Sequence, residues 1–232
     1  MTRHLPCLMV AAAFIGSPAA AADRTYTVPG FDQVRVTGPY RVRLTTGVAP
    51  FARASGSTQA LDGVSIEVNG QILSVRRNPS TSSGYPGQPA GPVEIEVGTH
   101  DLRSAVVVGS GSLDIDAVKA LSFSLIVEGA GSARVGKLDV DQLKLSASGT
   151  ASASLAGSAK SATLLVRGIS SLDGAALAVK DAVIGSEGPA MVRVNVSNTA
   201  KIEAKGASQV VLDGSPACTV AAAGAATVSG CS

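Results

Sequence analysis

A glycine returns at an interval of about 20 residues through the second half of this chain, at Gly109, Gly129, Gly149, Gly168, Gly188, Gly206 and Gly224. Self-similarity at that period marks a repeat architecture in which each repeat buries its apolar face only against its neighbours. The chain must therefore stack rather than collapse around one central core.

Aligning the repeats on the glycine locates the core. Four residues before it stand Ala105, Leu125, Leu145, Leu164, Ile184, Ile202 and Val220; four after it stand Leu113, Ala133, Ala153, Leu172, Val192, Val210 and Val228. Positions two before and six after are mostly apolar as well, which is the period-2 alternation of strands with one buried face. Two places past each glycine the residue is small throughout, from Gly111 and Gly131 to Ser208 and Ala226, as a tight bend between closely approaching repeats requires. Each rung reads as strand, turn, strand. Stacked rungs give an all-β parallel solenoid of two facing sheets with glycine-rich turns between them, regular over 101–232.

The earlier part follows the same beat less evenly. Val34 and Val36 precede Gly38, and Val42 and Leu44 follow it. Gly56 comes one similar interval later, behind Ala52 and Ala54, so Gly38 and Gly56 are read as the turns of two early rungs. Asn69-Gly70 between alternating apolar runs predicts a β-hairpin over 64–76. Residues 78–92, NPSTSSGYPGQPAGP, read as an exposed loop.

Residues 1–22 read as a secretory signal, with Arg3 ahead of a short apolar stretch and Ala20-Ala21-Ala22 as a cleavage site. The remaining 23–232 form one solenoid domain, placed in the periplasm or at the cell surface. In an oxidising compartment Cys218 and Cys231, which flank the Gly224 turn, are a candidate disulfide; two independent buried thiols are the alternative. The 19 Lys and Arg stand against 17 Asp and Glu, one cation fewer once Arg3 is removed. That balance does not steer toward nucleic acid, and no later apolar run reaches membrane-spanning length.

The Gly109-Ser-Gly-Ser112 and Gly129-Ala-Gly-Ser132 turns, the opening Phe31-Asp-Gln-Val-Arg-Val-Thr-Gly38 and the segment Ile66-Glu-Val-Asn-Gly-Gln-Ile-Leu-Ser-Val75 resemble a bacterial exported family described as "putative autotransporter adhesin, head GIN domain". The resemblance covers nearly the whole mature chain. It implies a right-handed β-helix with Gly-Ser-Gly turns, distantly similar in shape to pectin lyases but without their catalytic residues, and a role in cell adhesion.

Residues that could carry chemistry have bland readings beside the functional ones. Asp114 with Asp116 and Asp139 with Asp141 would suit a polysaccharide-cleaving acid and base, yet the two pairs fall at different offsets in their rungs and do not stack. His100 is the only histidine once the signal and its His4 are removed, so a nucleophilic triad would have to use it. Gly131 to Lys137 matches a phosphate-binding loop until Leu138 replaces the required Ser or Thr. No catalytic residue, metal set or cofactor is assigned. Arg167, Glu187 and Lys205 fall in one outward row with alternating sign, a register device. Aromatic residues are scarce, and the candidate binding residues are Arg76, Arg77, Tyr85 and His100 around the long loop.

The sequence thus points to a non-enzymatic exported interaction or adhesion module with an envelope, surface or glycan partner, and leaves self-association open. The alternatives are a polysaccharide lyase or hydrolase on the same scaffold and a passive periplasmic structural protein.

Overall fold

A computed structural model describes residues 22–80 and 91–232. Of residues 1–22, read as a secretory signal, all but Ala22 lie outside the described residues. Ala22 is the first residue of β1 (Ala22–Tyr26), followed by β2 (Gln33–Thr37), β3 (Arg41–Thr46), β4 (Phe51–Gly56), the short helix α1 (Thr58–Asp62), β5 (Val64–Asn69), β6 (Ile72–Arg77), β7 (Glu94–Thr99) and β8 (Ser104–Gly109). Five long strands then carry the regular coils: β9 (Ser112–Gly129), β10 (Ser132–Gly149), β11 (Ser152–Gly168), β12 (Ser171–Glu187) and β13 (Met191–Gly206). The shorter β14 (Gln209–Asp213), β15 (Ala217–Gly224) and β16 (Thr227–Ser229) complete the stack. The chain is a parallel β-solenoid in which each regular coil hydrogen-bonds to the coils on either side.

Two faces meet at the glycine corner. One, here the entry face, holds the residues before each glycine; the other, the exit face, holds those after it. Their inward rows are closed to solvent: Leu125, Leu164 and Ile202 on the entry face and Ile115, Val192 and Val210 on the exit face are all 0% exposed. Between the faces the inward parity switches, because Val118 points in after Leu113 and Ile115 and before Phe123, Leu125 and Val127. Leu138 with Val140, Ala159, Leu177 with Val179, and Val196 occupy the corresponding stretch in later coils. This third short stretch is where registers shift, between Val135 and Leu138, Ser154 and Ala156, and Gly174 and Asp181. It absorbs the small differences in coil length, and the two main faces stay in register.

The corner geometry explains the glycines. Gly109, Gly129, Gly149, Gly168, Gly188, Gly206 and Gly224 all have positive φ, as does Gly38. Successive corners also touch, since a Cβ on Gly149 would lie 2.7 Å from the Gly129 carbonyl oxygen. The small residue two places on is packed at the same corner, and a Cβ on Gly131 would meet Val107 at 2.9 Å. Where that residue is serine, its hydroxyl is satisfied: Ser170 donates to the carbonyls of Arg167 and Gly149, and Ser186 donates to Ser208 at 3.1 Å inside the core.

The early strands stack out of sequence order. The coil β2–Gly38–β3 lies directly beneath the Gly109 coil, with β2 on β8 and β3 on β9. Beneath it lies β6–β7, with β6 on β2 and β7 on β3, all parallel. Of residues 78–92 between β6 and β7, read as an exposed loop, 81–90 lie outside the described residues. Outermost come β4 and β5, antiparallel to β7 and β6, with β1 antiparallel to β4. Together with α1 they form a coil traversed backwards that covers the end of the core, burying Leu61 and Ala60.

Gly56 is thus not the turn of a second early rung. It ends an antiparallel strand and has no positive φ. The chain reverses earlier, at Gly47 with φ 73°, where the Gly47 and Val48 amides donate to the carbonyls of His100 and Thr99. That reversal sends β4 back along β7.

At the opposite end Cys218 and Cys231 are disulfide-bonded, with Cα atoms 5.7 Å apart, and the bond closes the last coil on itself. Among the described residues no helix is long and apolar enough to cross a membrane.

Candidate functional site

Since the inward rows are closed, chemistry is confined to outward rows, which the parallel register sets in columns about 4.8 Å apart per step. On the exit face one column runs Arg53, Glu96, Arg43, Asp114, Arg134, Ser154, Asp173, Arg193, each registered against the next. Its sign alternates at every step but for the neutral Ser154. The adjoining column runs Ser55, Glu94, Arg41, Ser112, Ser132, Ser152, Ser171, with Arg41 Nη1 3.9 Å from Glu94.

Between these columns lies a groove of about 210 Å³ lined by Arg41, Arg43, Glu94, Glu96, Ser112 and Asp114. A second of about 200 Å³ lies on the other side of the charged column, lined by Arg134, Gly136, Ser154, Ala156 and Asp173. The column ends at Arg193, whose guanidinium is held 3.0 Å from Asp213 and is pushed to still higher pKa by that bond. The exit face therefore offers paired donors and acceptors of both signs along several coils. Such a surface fits an extended polar ligand better than a small buried one.

The entry face carries an open groove of about 370 Å³ across four coils, with Ser161, Thr163, Asp181, Val183, Thr199 and Lys201 along it. Asp181 accepts from Thr199 Oγ1 at 2.5 Å and from Asn198 Nδ2 at 2.7 Å. Those bonds, the Thr199 bond first, hold its carboxyl below the usual range. Arg167 and Glu187 form an ion pair at 3.6 Å on the same face, and Lys205 registers beside Glu187.

Of the candidate binding residues, the three that are described, Arg76, Arg77 and His100, do not converge. Arg76 is paired with Glu67 at 3.1 Å, and Ser65 donates to the same carboxylate at 2.8 Å; these bonds, Ser65's first, lower the Glu67 pKa. Arg77 ends β6 at the corner, near Tyr40, whose phenol is raised in pKa by burial against a smaller opposing effect of Arg77. His100 follows β7 at the far end of that coil, beside Gly47. Tyr85 lies outside the described residues.

Nor do the aspartates assemble. Asp114 stands between Arg43 and Arg134, Asp116 accepts from the Thr46 amide at 3.0 Å, Asp139 registers with Lys119, and Asp141 pairs with Lys160 at 2.7 Å. Gly131 to Leu138 lies in a corner and the strand β10 rather than a loop opening a helix. The exit-face column escaped the sequence reading because Glu96, Arg43 and Asp114 become neighbours only through the out-of-order stacking.

Residues 30–216 match the family model described as "Putative auto-transporter adhesin, head GIN domain". Among solved structures, a protein of Bacteroides fragilis described as a putative adhesin superposes with a TM-score of 0.82 at 16% identity, covering 91% of this chain and 97% of its own. A putative adhesin of Parabacteroides merdae gives 0.69 at 14% identity over 90% of this chain and 95% of its own. A protein of Parabacteroides distasonis described as a putative lipid binding protein gives 0.67 at 16% identity, with coverages of 90% and 95%. At these identities the likeness is one of fold. No curated protein matches the chain. The family and these neighbours are named as adhesins or binding proteins rather than enzymes.

Proposed function

The chain belongs to the family described as "Putative auto-transporter adhesin, head GIN domain", and from that premise we propose that it is a non-enzymatic exported interaction module whose exit face is the contact surface. The observation that carries this reading is the two-signed column from Arg53 to Arg193 with grooves along it. An array of alternating charges set in column by the strand register can select a polar polymer, glycan or protein, by matching its repeat, and electrostatic complementarity confers specificity of this kind. Export is supported by the signal-like residues 1–22 and by the disulfide, which suits an oxidising compartment.

The test is a binding screen of the purified protein against envelope extracts, matrix proteins, acidic and neutral glycans and lipid vesicles, repeated with Arg43→Ser/Arg134→Ser. A saturable partner weakened by these substitutions is the expected result. Failure across all ligands, a partner indifferent to the column, or turnover of a polysaccharide in the same incubations would each overturn it. Fractionating cells tests the location: recovery from the cytoplasm would count against export.

A further inference from the structure

The two ends of the solenoid are finished differently. At the early end the outermost strands carry charge, Asp23 and Arg24 on β1 and Glu67 on β5, and the reversed coil with α1 covers the core, tied by the Arg24–Asp62 ion pair at 2.7 Å. Charged edges and covering elements are how sheets avoid pairing with other chains. Among the described residues the late end has neither. Among the described residues β15 pairs only with β13 and β16 only with β14, so each leaves one edge of backbone amides and carbonyls open.

Residues 214–232 contain no Asp, Glu, Lys or Arg, and β15 contains no proline. The core column that is 1% exposed at Ile184 and 0% at Ile202 reaches 44% at Val220. The Cys218–Cys231 bond ties both ends of this coil together and so keeps the open edge in place rather than frayed.

We propose that this edge is a homodimer interface, in which β15 pairs antiparallel with β15 of a second copy about a two-fold axis near Ala221. The occupant follows from the charge pattern. In an isologous contact each residue near the axis meets its own copy, so any charge there would face a like charge. At the last coil the outward rows lose their charges: the column Gly185, Glu203, Ala221 loses its carboxylate at this step, and Thr163, Val183, Lys201, Thr219 loses its ammonium. Pairing in that register keeps inward residues inward. Val220 then lies across from Ala222 of the second copy, which lengthens the core across the junction and satisfies the open edge of β15 in each copy. A charge-complementary foreign strand would find nothing on this edge to read.

The experiment is sedimentation velocity on the oxidised protein, with Ala221→Lys and Ala221→Glu alone and mixed. The wild type should sediment as a dimer. Each single variant should be monomeric at concentrations near the wild-type Kd, its own Kd weakened at least about tenfold by like charges meeting at the axis. The equimolar mixture should return to dimer, since Lys then faces Glu. Ser146→Lys, on an outward row of a middle coil, should stay dimeric, and circular dichroism should show the same sheet signal in all variants. A wild type that remains monomeric at about 100 μM, enough to populate a complex with a Kd near about 10 μM, would overturn the proposal. So would an Ala221→Lys variant whose dimer Kd equals that of the wild type, or a mixture that fails to reassociate while each variant remains folded.

Discussion

The Gly149 corner stands so close to Gly129 that the absent Cβ of Gly149 would sit 2.7 Å from the Gly129 carbonyl oxygen, and Gly149 has a φ of 92°. Both conditions exclude a side chain, and their effects separate by comparison with Gly47. Gly47 has a φ of 73° but nothing within 4 Å of its would-be Cβ. Gly47→Ala should cost about 1 kcal/mol, the penalty for a left-handed alanine alone. Gly149→Ala should cost about 2–4 kcal/mol, because two coils must also separate against their hydrogen bonds. Urea unfolding of the two variants checks the difference; equal costs would mean that corner contact contributes nothing.

The corners and inward rows are legible in the sequence because a solenoid writes its geometry at a fixed period. Leu125, Leu145 and Leu164 recur because the same position must be filled in each coil. The order of stacking is not legible. Gly56 follows Gly38 at nearly the interval of the later glycines and has apolar residues at the right offsets, so local periodicity alone makes it a corner. What decides otherwise is the pairing of β3 with β9, a contact between distant segments. The local clue was Gly47 with Pro50, a reversal that the period obscures. The exit-face groove depends on the same non-local order, since Arg43 comes from one segment, Glu96 from another and Asp114 from a third.

That order has an electrostatic consequence at Arg43. With the coil of Arg43 between them, Glu96 and Asp114 each face a cation; stacked in chain order, they would face each other. Arg43→Glu places three carboxylates in consecutive steps, and like charges directly opposite are destabilising. The urea midpoint should fall more for Arg43→Glu than for Arg193→Ser, and the loss should shrink at high salt, where exposed charges are screened. A loss unaffected by salt would assign Arg43 a packing role instead.

Reduction of the Cys218–Cys231 bond should act locally. The bond closes a segment with a sequence separation of 13, worth about 3 kcal/mol in the chain-entropy model. In a stack coupled only through nearest neighbours, that loss falls on the last coil and weakens with distance. Hydrogen exchange after reduction should accelerate in β15 and β16 and leave β9 and β10 unchanged. Uniform acceleration through all coils would show that the solenoid unfolds as one unit.

Acid should find Asp181 before it finds the core. The ionised carboxylate accepts from Thr199 and Asn198, and its pKa in the folded chain is depressed, chiefly by Thr199. A group with a depressed folded pKa contributes stability that is fully present above its unfolded value, about 3.9, and is lost as the pH falls through the lower folded value. Thr199→Val removes the leading donor while keeping the shape of the side chain. At neutral pH the variant should therefore unfold at lower urea than the wild type, and the gap should close as the pH falls below the unfolded value. Glu67, lowered by Ser65 and then Arg76, contributes to the acid loss of both proteins alike and cancels in the comparison. A gap that persists undiminished at low pH would mean that Thr199 stabilises its coil through packing rather than through the charge on Asp181.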